Sequence, residues 1–244
     1  MKRFYRTVHL DQSAQGWRVL LDARAIKTPA GAAQAVPTRA LAQALAAEWA
    51  DQGDVIDPAR FVLRDLADYA IDAITPDPAA ARATLAGFAE TDTLCYRADA
   101  DTALAAHQLS LWDPLVIAAE TRFGVKFERV AGVIHRAQPD QTLARLRAKL
   151  DDFDPFTLAA LHVLTSLSAS LILGLAALEP AAPLAELWHA ANLEELWQAD
   201  LWGKEPAAEA RRARRHADFL TAARFAALVR GDDYPIQSAT AFAT

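Results

Sequence analysis

The chain has 244 residues, 53% of them hydrophobic, and a formal net charge of −6 at pH 7. A chain of this length buries about 70–75% of the surface that its unfolded form exposes, so it forms one large domain or two small ones without a disulfide or a metal. Its acidic balance argues against nucleic acid as a partner, and its single cysteine, Cys95, excludes an internal disulfide and favours a reducing compartment.

The first 76 residues predict a small antiparallel sheet followed by two helical segments. Strand-like runs lie at about 4–8, 17–21, 25–28 and 34–36, separated by turns at 11–16 and 29–31. Thr38 is placed to cap a helix reaching about residue 52, and Asp57-Pro58 opens a second helical segment that ends near residue 74. Because Pro76 and Pro78 cannot continue a helix, we predict a domain border at Pro76.

The rest of the chain predicts helices, with one short extended excursion at 125–135 and a loose tail at 231–244. The predicted helices span about 79–90, 101–123, 139–151, 155–178, 183–202 and 206–229. The fold class is therefore α+β. We expect a β-rich N-terminal domain with helices at 1–76 and a larger, all-helical C-terminal domain at 77–230.

Residues 155–178 are apolar enough to raise the question of a membrane span. They contain no Asp, Glu, Lys or Arg, which meets the length criterion for a transmembrane helix. His162, several serines and threonines, acidic residues at both ends and the lack of flanking basic anchors favour a buried central helix instead. Ser166, Ser170 and Gly174 recur every four residues and predict a smooth strip for a second helix. With no targeting signal in the first residues, we expect a cytoplasmic bacterial protein.

The sequence contains no recognisable catalytic, metal or cofactor motif. The six histidines are scattered, and Glu186 to His189 forms the only Glu-x-x-His spacing, whereas a di-metal bundle needs two such motifs. The glycine patterns that bind phosphate and the Gly-x-Ser-x-Gly motif of hydrolases are absent. We therefore predict no catalytic residues, no metal and no cofactor.

The segment 183–202 has the most informative pattern when it is drawn as one continuous helix. One side is apolar and predicts core packing, and it carries Ala190, Leu193, Trp197 and Leu201. The opposite side combines aromatic and polar residues, namely Leu184, Trp188, Ala191, Glu195, Gln198 and Trp202. Two interpretations stay open: Glu195 pairs with an arginine of a neighbouring helix inside the fold, or this mixed side is a binding surface for another protein.

Six blocks in order along the chain resemble one protein family. They are Lys2-Arg3-Phe4-Tyr5, Leu21-Asp22 with Lys27-Thr28-Pro29, Leu45 to Gln52, Thr91 to Tyr96, Gln108 with Trp112-Asp113-Pro114-Leu115, and Leu193-Glu194-Glu195 with Gln198 and Trp202-Gly203. Together they are similar to the ATP synthase assembly chaperones that act on the alpha subunit of the catalytic head, the ATP12 chaperone family. The similarity runs from residue 2 to about residue 230.

The resemblance implies a chaperone that is not an enzyme. Such a protein binds the free alpha subunit of the F-type ATP synthase catalytic head, shields its subunit interface and releases it during assembly. The family has a β-rich N-terminal part and a helical C-terminal part. In the family an acidic residue of the Leu-Glu-Glu block is important for function. It maps to Glu194 or Glu195, and the helical pattern favours Glu195.

The predicted partner-binding residues are therefore Glu194, Glu195, Gln198, Trp202 and Trp188, together with a second mixed patch of Glu48 and Trp49. For the second patch, packing between the two domains is an equal alternative. The alternative function is an enzyme that uses Glu194, Glu195 or Asp92 as an acid or base, which requires a closed pocket and a carboxylate of raised pKa.

Overall fold

The computed structural model describes residues 1–132 and 135–231. The N-terminal part contains the strands β1 (Val8–Ser13), β2 (Gly16–Leu21), β3 (Arg24–Ala25) and β4 (Ala35–Val36) and the helices α1 (Arg39–Ala50) and α2 (Val62–Tyr69). From residue 232 onward, the predicted loose tail lies outside the described residues.

The N-terminal sheet is antiparallel, with β2 at its centre. β1 pairs with β2 in the register Val8 to Leu21, and β3 and β4 both pair with β2 along its other edge. The first strand begins later than predicted and includes residues 11–13, half of the expected turn at 11–16, so the hairpin turn is confined to residues 14–15. Gly16 has φ +128°, and an added Cβ would meet the Val36 carbonyl, so this tight approach of β4 favours glycine.

The first N-terminal helix begins at its predicted cap, whereas α2 begins later than the predicted start at Asp57-Pro58. The Thr38 hydroxyl accepts a hydrogen bond from the Leu41 amide at 3.1 Å, which confirms the predicted cap of α1. After Asp57-Pro58 the chain makes a short 3-10 turn, then α2, and then a π-helical turn at Ala70–Ile74. The predicted second helical segment is therefore three short pieces of different helical pitch.

The C-terminal part contains eight α-helices among the described residues. They are α3 (Pro78–Glu90), α4 (Ala103–Phe123), α5 (Asp140–Asp151), α6 (Pro155–Ser168), α7 (Leu171–Ala177), α8 (Leu184–Ala191), α9 (Leu193–Trp202) and α10 (Pro206–Arg230). The part is not wholly helical, because β5 (Tyr96–Arg97) pairs in parallel with β6 (Val130–Ala131). The α+β class is confirmed.

The apolar segment 155–178 is two helices, not the single helix expected. Ala169 adopts φ +50° and ends α6, and the Ser170 hydroxyl then caps α7 by accepting from the Leu173 amide. Ser166 is exposed, so the predicted strip of small residues is interrupted. Gly174 keeps its expected role, since an added Cβ would collide with the Thr165 hydroxyl of α6. In the described part of the chain, no helix is both long and apolar enough to cross a membrane.

The segment 183–202 is also two helices. Asn192 separates α8 from α9, and its side-chain amide donates to the Trp188 carbonyl at 2.8 Å. This contact is a local alternative to continued helix, as is typical of asparagine. Ala190 and Leu193, on either side of this break, are both buried as the continuous helix predicts.

The two sides of the predicted border at Pro76 are in direct contact. The Thr38 hydroxyl donates to the Leu228 carbonyl of α10 at 2.5 Å, and the Tyr69 hydroxyl is 2.8 Å from the His162 ring of α6. Large side chains from both parts are fully buried, including Phe61, Trp112, Phe219 and Phe225. The division into two domains at Pro76 stays a prediction.

Candidate functional site

Glu194 lies on the surface at the start of α9, and a buried glutamine fixes its carboxylate. Gln108 of α4 is fully buried and donates its side-chain amide to Glu194 Oε1 at 2.7 Å. The other end of the same amide accepts from the Ala98 backbone N–H at 2.8 Å. Because that oxygen faces an N–H donor, the NH₂ group must face Glu194.

Glu195, which the helical pattern favoured as the functional residue, faces the fold. Its carboxylate pairs with Arg212 of α10 at 3.0 Å, and Arg215 lies 3.9 Å from its other oxygen. This is the internal pairing that the sequence left open as the alternative. Two arginines of α10 thus hold α9 in place.

Trp188 and Leu201 occupy the opposite environments from those that one continuous helix predicts. Trp188 is only 7% exposed; its ring stacks on His216 at 5.3 Å and packs against Phe219. Leu201, expected in the core, is 61% exposed. The other members of the predicted apolar side, Ala190 and Leu193, are buried as expected, and Leu201 differs from them by lying in the last turn of α9.

The exposed face of α9 ends in two large apolar side chains. Glu194, Gln198 and Leu201 follow a four-residue and then a three-residue spacing, which places them on one side of the helix, and all three are exposed. Trp202 lies at the end of this face and is 78% exposed. Trp197 instead turns inward, with its ring 5.6 Å from His107 of α4.

Glu48 and Trp49 form contacts inside the N-terminal part. The Glu48 carboxylate accepts from the backbone amides of Leu63 and Arg64 at 2.7 and 2.9 Å and so caps α2. Burial raises the pKa of Glu48, and these two hydrogen bonds oppose the rise. Trp49 is 7% exposed and packs against Tyr5 and Phe61. Neither packing between the domains nor an open surface describes this pair.

A cleft of about 730 Å³ opens beside Glu194. It is lined by Tyr96, Arg97, Ala98, Asp99, Thr102, Leu104, Gly132 and Glu194. The loop after β5 supplies one wall, and the start of α4 supplies another. Arg97 Nη2 donates to Asp113 at 2.6 Å, and its guanidinium lies 5.1 Å from the centre of the Trp112 ring.

A polar network extends from this cleft into the fold. Asp113 also lies 3.6 Å from Arg129, and Arg129 donates to Glu120 at 2.9 Å. Glu120 accepts further hydrogen bonds from Lys126 and from the Phe127 amide, both at 2.9 Å. Burial alone would raise its pKa, but the Arg129, Phe127 and Lys126 contacts outweigh burial and lower the pKa to about 2.

Sequence reasoning did not identify Gln108 and Arg97 as site residues. The signal was present in part, because Gln108 and Trp112-Asp113 form one of the six recognised blocks. The Trp112 indole donates to the Ala190 carbonyl at 2.9 Å, next to the break that begins α9. Residues of three blocks therefore meet near Glu194: Tyr96 lines the same cleft, and Gln108 donates to the Glu194 carboxylate.

The carboxylate and thiol of the 92–95 turn are structural. Asp92 is fully buried and accepts from the Leu94 and Ile172 amides, each at 3.0 Å. Burial raises the pKa of Asp92 to about 6, and burial together with the nearby Asp92 charge raises that of the Cys95 thiol to about 12. Over residues 1–132 and 135–231, no three histidine, cysteine or acidic residues are grouped to hold a metal ion.

Comparisons with known proteins assign the chain to a family. A family model described as ATP12 chaperone protein matches residues 2–120. Crystal structures of Atp12 from Paracoccus denitrificans and of a point mutant of that protein are each 39% identical, with a TM-score of 0.90 over 94% of this chain and 98% of theirs. A protein from Agrobacterium tumefaciens described as a candidate chaperone is 38% identical, with a TM-score of 0.88 over 92% of this chain and 85% of its own. The chain therefore belongs to the ATP12 family of chaperone proteins.

Proposed function

We propose that this chain is an assembly chaperone of the F-type ATP synthase that binds the free alpha subunit of the catalytic head, here called the client. It shields the client surface that another subunit later covers, and it acts in the bacterial cytoplasm without catalysis. Membership of the ATP12 family supports an assembly role. The identity of the client comes from the resemblance of the six sequence blocks.

The observation that carries the proposal is the exposed end of α9. A tryptophan that is 78% exposed beside a leucine that is 61% exposed is an unusual surface for a protein without a partner. Next to them, Glu194 is held in one orientation by Gln108. Aromatic anchors beside a directed polar group have the composition of a protein-binding hot spot.

We assign the binding surface to Glu194, Gln198, Leu201 and Trp202 and exclude Glu195, Trp188, Glu48 and Trp49 from it. The excluded side chains already have partners in the fold, as Glu195 has with Arg212, or are buried, as Trp188 is. The retained ones are exposed and continuous along one helix. Of the two candidate carboxylates we assign the contact to Glu194, because it lies on the exposed face of α9 and forms no ion pair within the described residues, whereas Glu195 pairs with Arg212.

The binding test uses the purified full-length chain and the isolated alpha subunit. Size-exclusion chromatography should give a one-to-one complex with the isolated alpha subunit and none with the assembled catalytic head. Trp202→Ala should weaken this complex by about 2 kcal/mol or more, which is about thirtyfold in Kd. Phe4→Ala, which truncates an aromatic side chain that is 59% exposed in the N-terminal part, is the matched control and should bind as the wild type does. Failure of the wild-type chain to bind the isolated alpha subunit would overturn the proposal.

The competing enzymatic hypothesis finds no support in the carboxylates that it named. Asp92 has the raised pKa that an acid or base needs, but it is fully buried and both of its oxygens accept backbone hydrogen bonds. Glu195 is paired with arginine, and Glu194 lies beside an open cleft. We therefore retain the chaperone as the single proposed function.

A further inference from the structure

The cleft beside Glu194 has both apolar and charged walls. Tyr96 and Leu104 contribute apolar surface, and Thr102 contributes a hydroxyl that is already used to cap α4. The cleft volume of about 730 Å³ lies within the range of about 300–1,000 Å³ typical of binding clefts. It can therefore accept a long side chain from a bound protein.

The charge of this cleft is negative, although one arginine lines it. Arg97 already has an anionic partner inside the fold, because it donates to the Asp113 carboxylate. It also donates to the Gln108 carbonyl and stacks on Trp112. Glu194 and Asp99 also line the cleft. Within the described residues, neither of these carboxylates forms an ion pair, and Glu194 accepts its hydrogen bond from the neutral amide of Gln108.

We propose that the cleft receives a lysine or arginine side chain of the client, whose cationic head pairs with Glu194. The aliphatic stem of such a side chain lies against Leu104 and Tyr96, so both kinds of wall are used. An acidic or purely apolar group in the same place would leave the Glu194 charge desolvated and unpaired, which is unfavourable. The inference rests on the proposed function and specifies the chemistry of its contact.

Gln108 is the positioning residue of this contact. Its side-chain amide is fully buried and hydrogen-bonded at both ends, with the oxygen accepting from the Ala98 backbone and the NH₂ group donating to Glu194. The carboxylate is thereby oriented before the client arrives, and less side-chain entropy is lost on binding. The same amide ties Glu194 to the loop that forms the opposite wall of the cleft.

The direct test compares two variants that each remove one negative charge from α9. Glu194→Gln neutralises the cleft carboxylate and keeps its shape, whereas Asp200→Asn neutralises an exposed carboxylate elsewhere on the same helix. Titration of each full-length variant with isolated alpha subunit should give a Kd at least about tenfold weaker for Glu194→Gln and within about twofold of wild type for Asp200→Asn. The salt dependence of Kd should also decrease for Glu194→Gln only.

A charge-reversal experiment identifies the basic side chain of the client. Glu194→Lys is titrated with alpha-subunit variants in which single surface Lys or Arg residues are changed to Glu. We expect one of these variants to bind Glu194→Lys at least about tenfold more tightly than the unaltered alpha subunit does. If no substitution restores binding, the pairing with a basic side chain is wrong.

The positioning role is tested by a double-mutant cycle. Gln108→Met should weaken binding about threefold or more in the wild-type background and should have no further effect in the Glu194→Gln background. If Gln108 had only a structural role, Gln108→Met would weaken binding equally in both backgrounds. If Glu194→Gln binds as tightly as wild type while Trp202→Ala does not, the inference is overturned and the proposed function stands. If the wild type itself does not bind, the proposed function has failed.

Discussion

Ionised Glu120 should stabilise the fold, and this stabilisation should disappear at low pH. Its side chain is 4% exposed and accepts hydrogen bonds from Lys126, Arg129 and the Phe127 amide, each at 2.9 Å. Glu120→Gln keeps the size and one acceptor oxygen but removes the charge. Two cationic partners then lose their counter-charge, and at least one of the three donors loses its acceptor.

The magnitude follows from the pKa. The folded protein holds the pKa of Glu120 at about 2, below the ordinary value of 4.5. Because one pKa unit corresponds to about 1.36 kcal/mol, the ionised form stabilises the fold by about 3 kcal/mol. A lowered folded-state pKa means that this stability is complete above pH 4.5 and is lost as the pH falls towards 2. At pH 3 about 1.4 kcal/mol should remain.

The assay is urea-induced unfolding of the wild type and Glu120→Gln, followed by far-ultraviolet circular dichroism at pH 7, 5 and 3. The free energy of unfolding should differ by about 3 kcal/mol at pH 7, and the difference should shrink by about 2 kcal/mol at pH 3. Glu128→Gln, which changes an exposed carboxylate in the loop after α4, is the control and should change stability by less than about 0.5 kcal/mol. A difference between wild type and Glu120→Gln that does not vary with pH would refute the reasoning.

Three further predictions use the same unfolding measurement. Burial raises the pKa of Asp92 to about 6, so the wild type loses stability as the pH rises through this value. The stability of Asp92→Asn relative to wild type should therefore increase by about 2 kcal/mol between pH 4 and 7. A difference that stays constant with pH would contradict this. Gly174→Ala should destabilise the fold by about 1–3 kcal/mol, because the added Cβ would meet Thr165. Gly87→Ala, at an exposed helical position with open space around it, should stabilise the fold by up to about 1 kcal/mol. Equal effects of the two substitutions would refute the close approach of Gly174 to Thr165. Glu195→Gln should lower the free energy of unfolding by less than about 1 kcal/mol, because the ion pair of Glu195 is partly exposed. It should also leave alpha-subunit binding unchanged. Weaker binding would instead assign the functional role to Glu195.

Sequence patterns predicted the helices that have strong local signals. Thr38, Thr102 and Asp154 provide side-chain caps, and Pro76 with Pro78 interrupts the chain where α3 begins. These signals act over a few residues, so they operate before tertiary contacts form. The α+β class and the family resemblance followed from the order of such elements and blocks.

The side-chain environments of the candidate site could not be predicted from local pattern alone. The prediction for 183–202 assumed one continuous helix, but the Asn192 side chain donates a hydrogen bond to the Trp188 carbonyl and divides the segment. Trp188 is buried against His216 and Phe219 of α10, and Leu201 is exposed in the last turn of α9. No periodicity in the sequence reports whether such a break occurs, because asparagine is also found within helices.

The amino-acid sequence by itself determined the fold class, most helix limits and the short list containing both Glu194 and Glu195. Only the tertiary structure shows that these two carboxylates have different surroundings, because a different distant side chain lies opposite each of them. Gln108, 86 residues away, contacts Glu194, and Arg212, 17 residues away, contacts Glu195. Ion pairs and hydrogen bonds between separate helices are set by how the helices pack, and that packing is a property of the whole core.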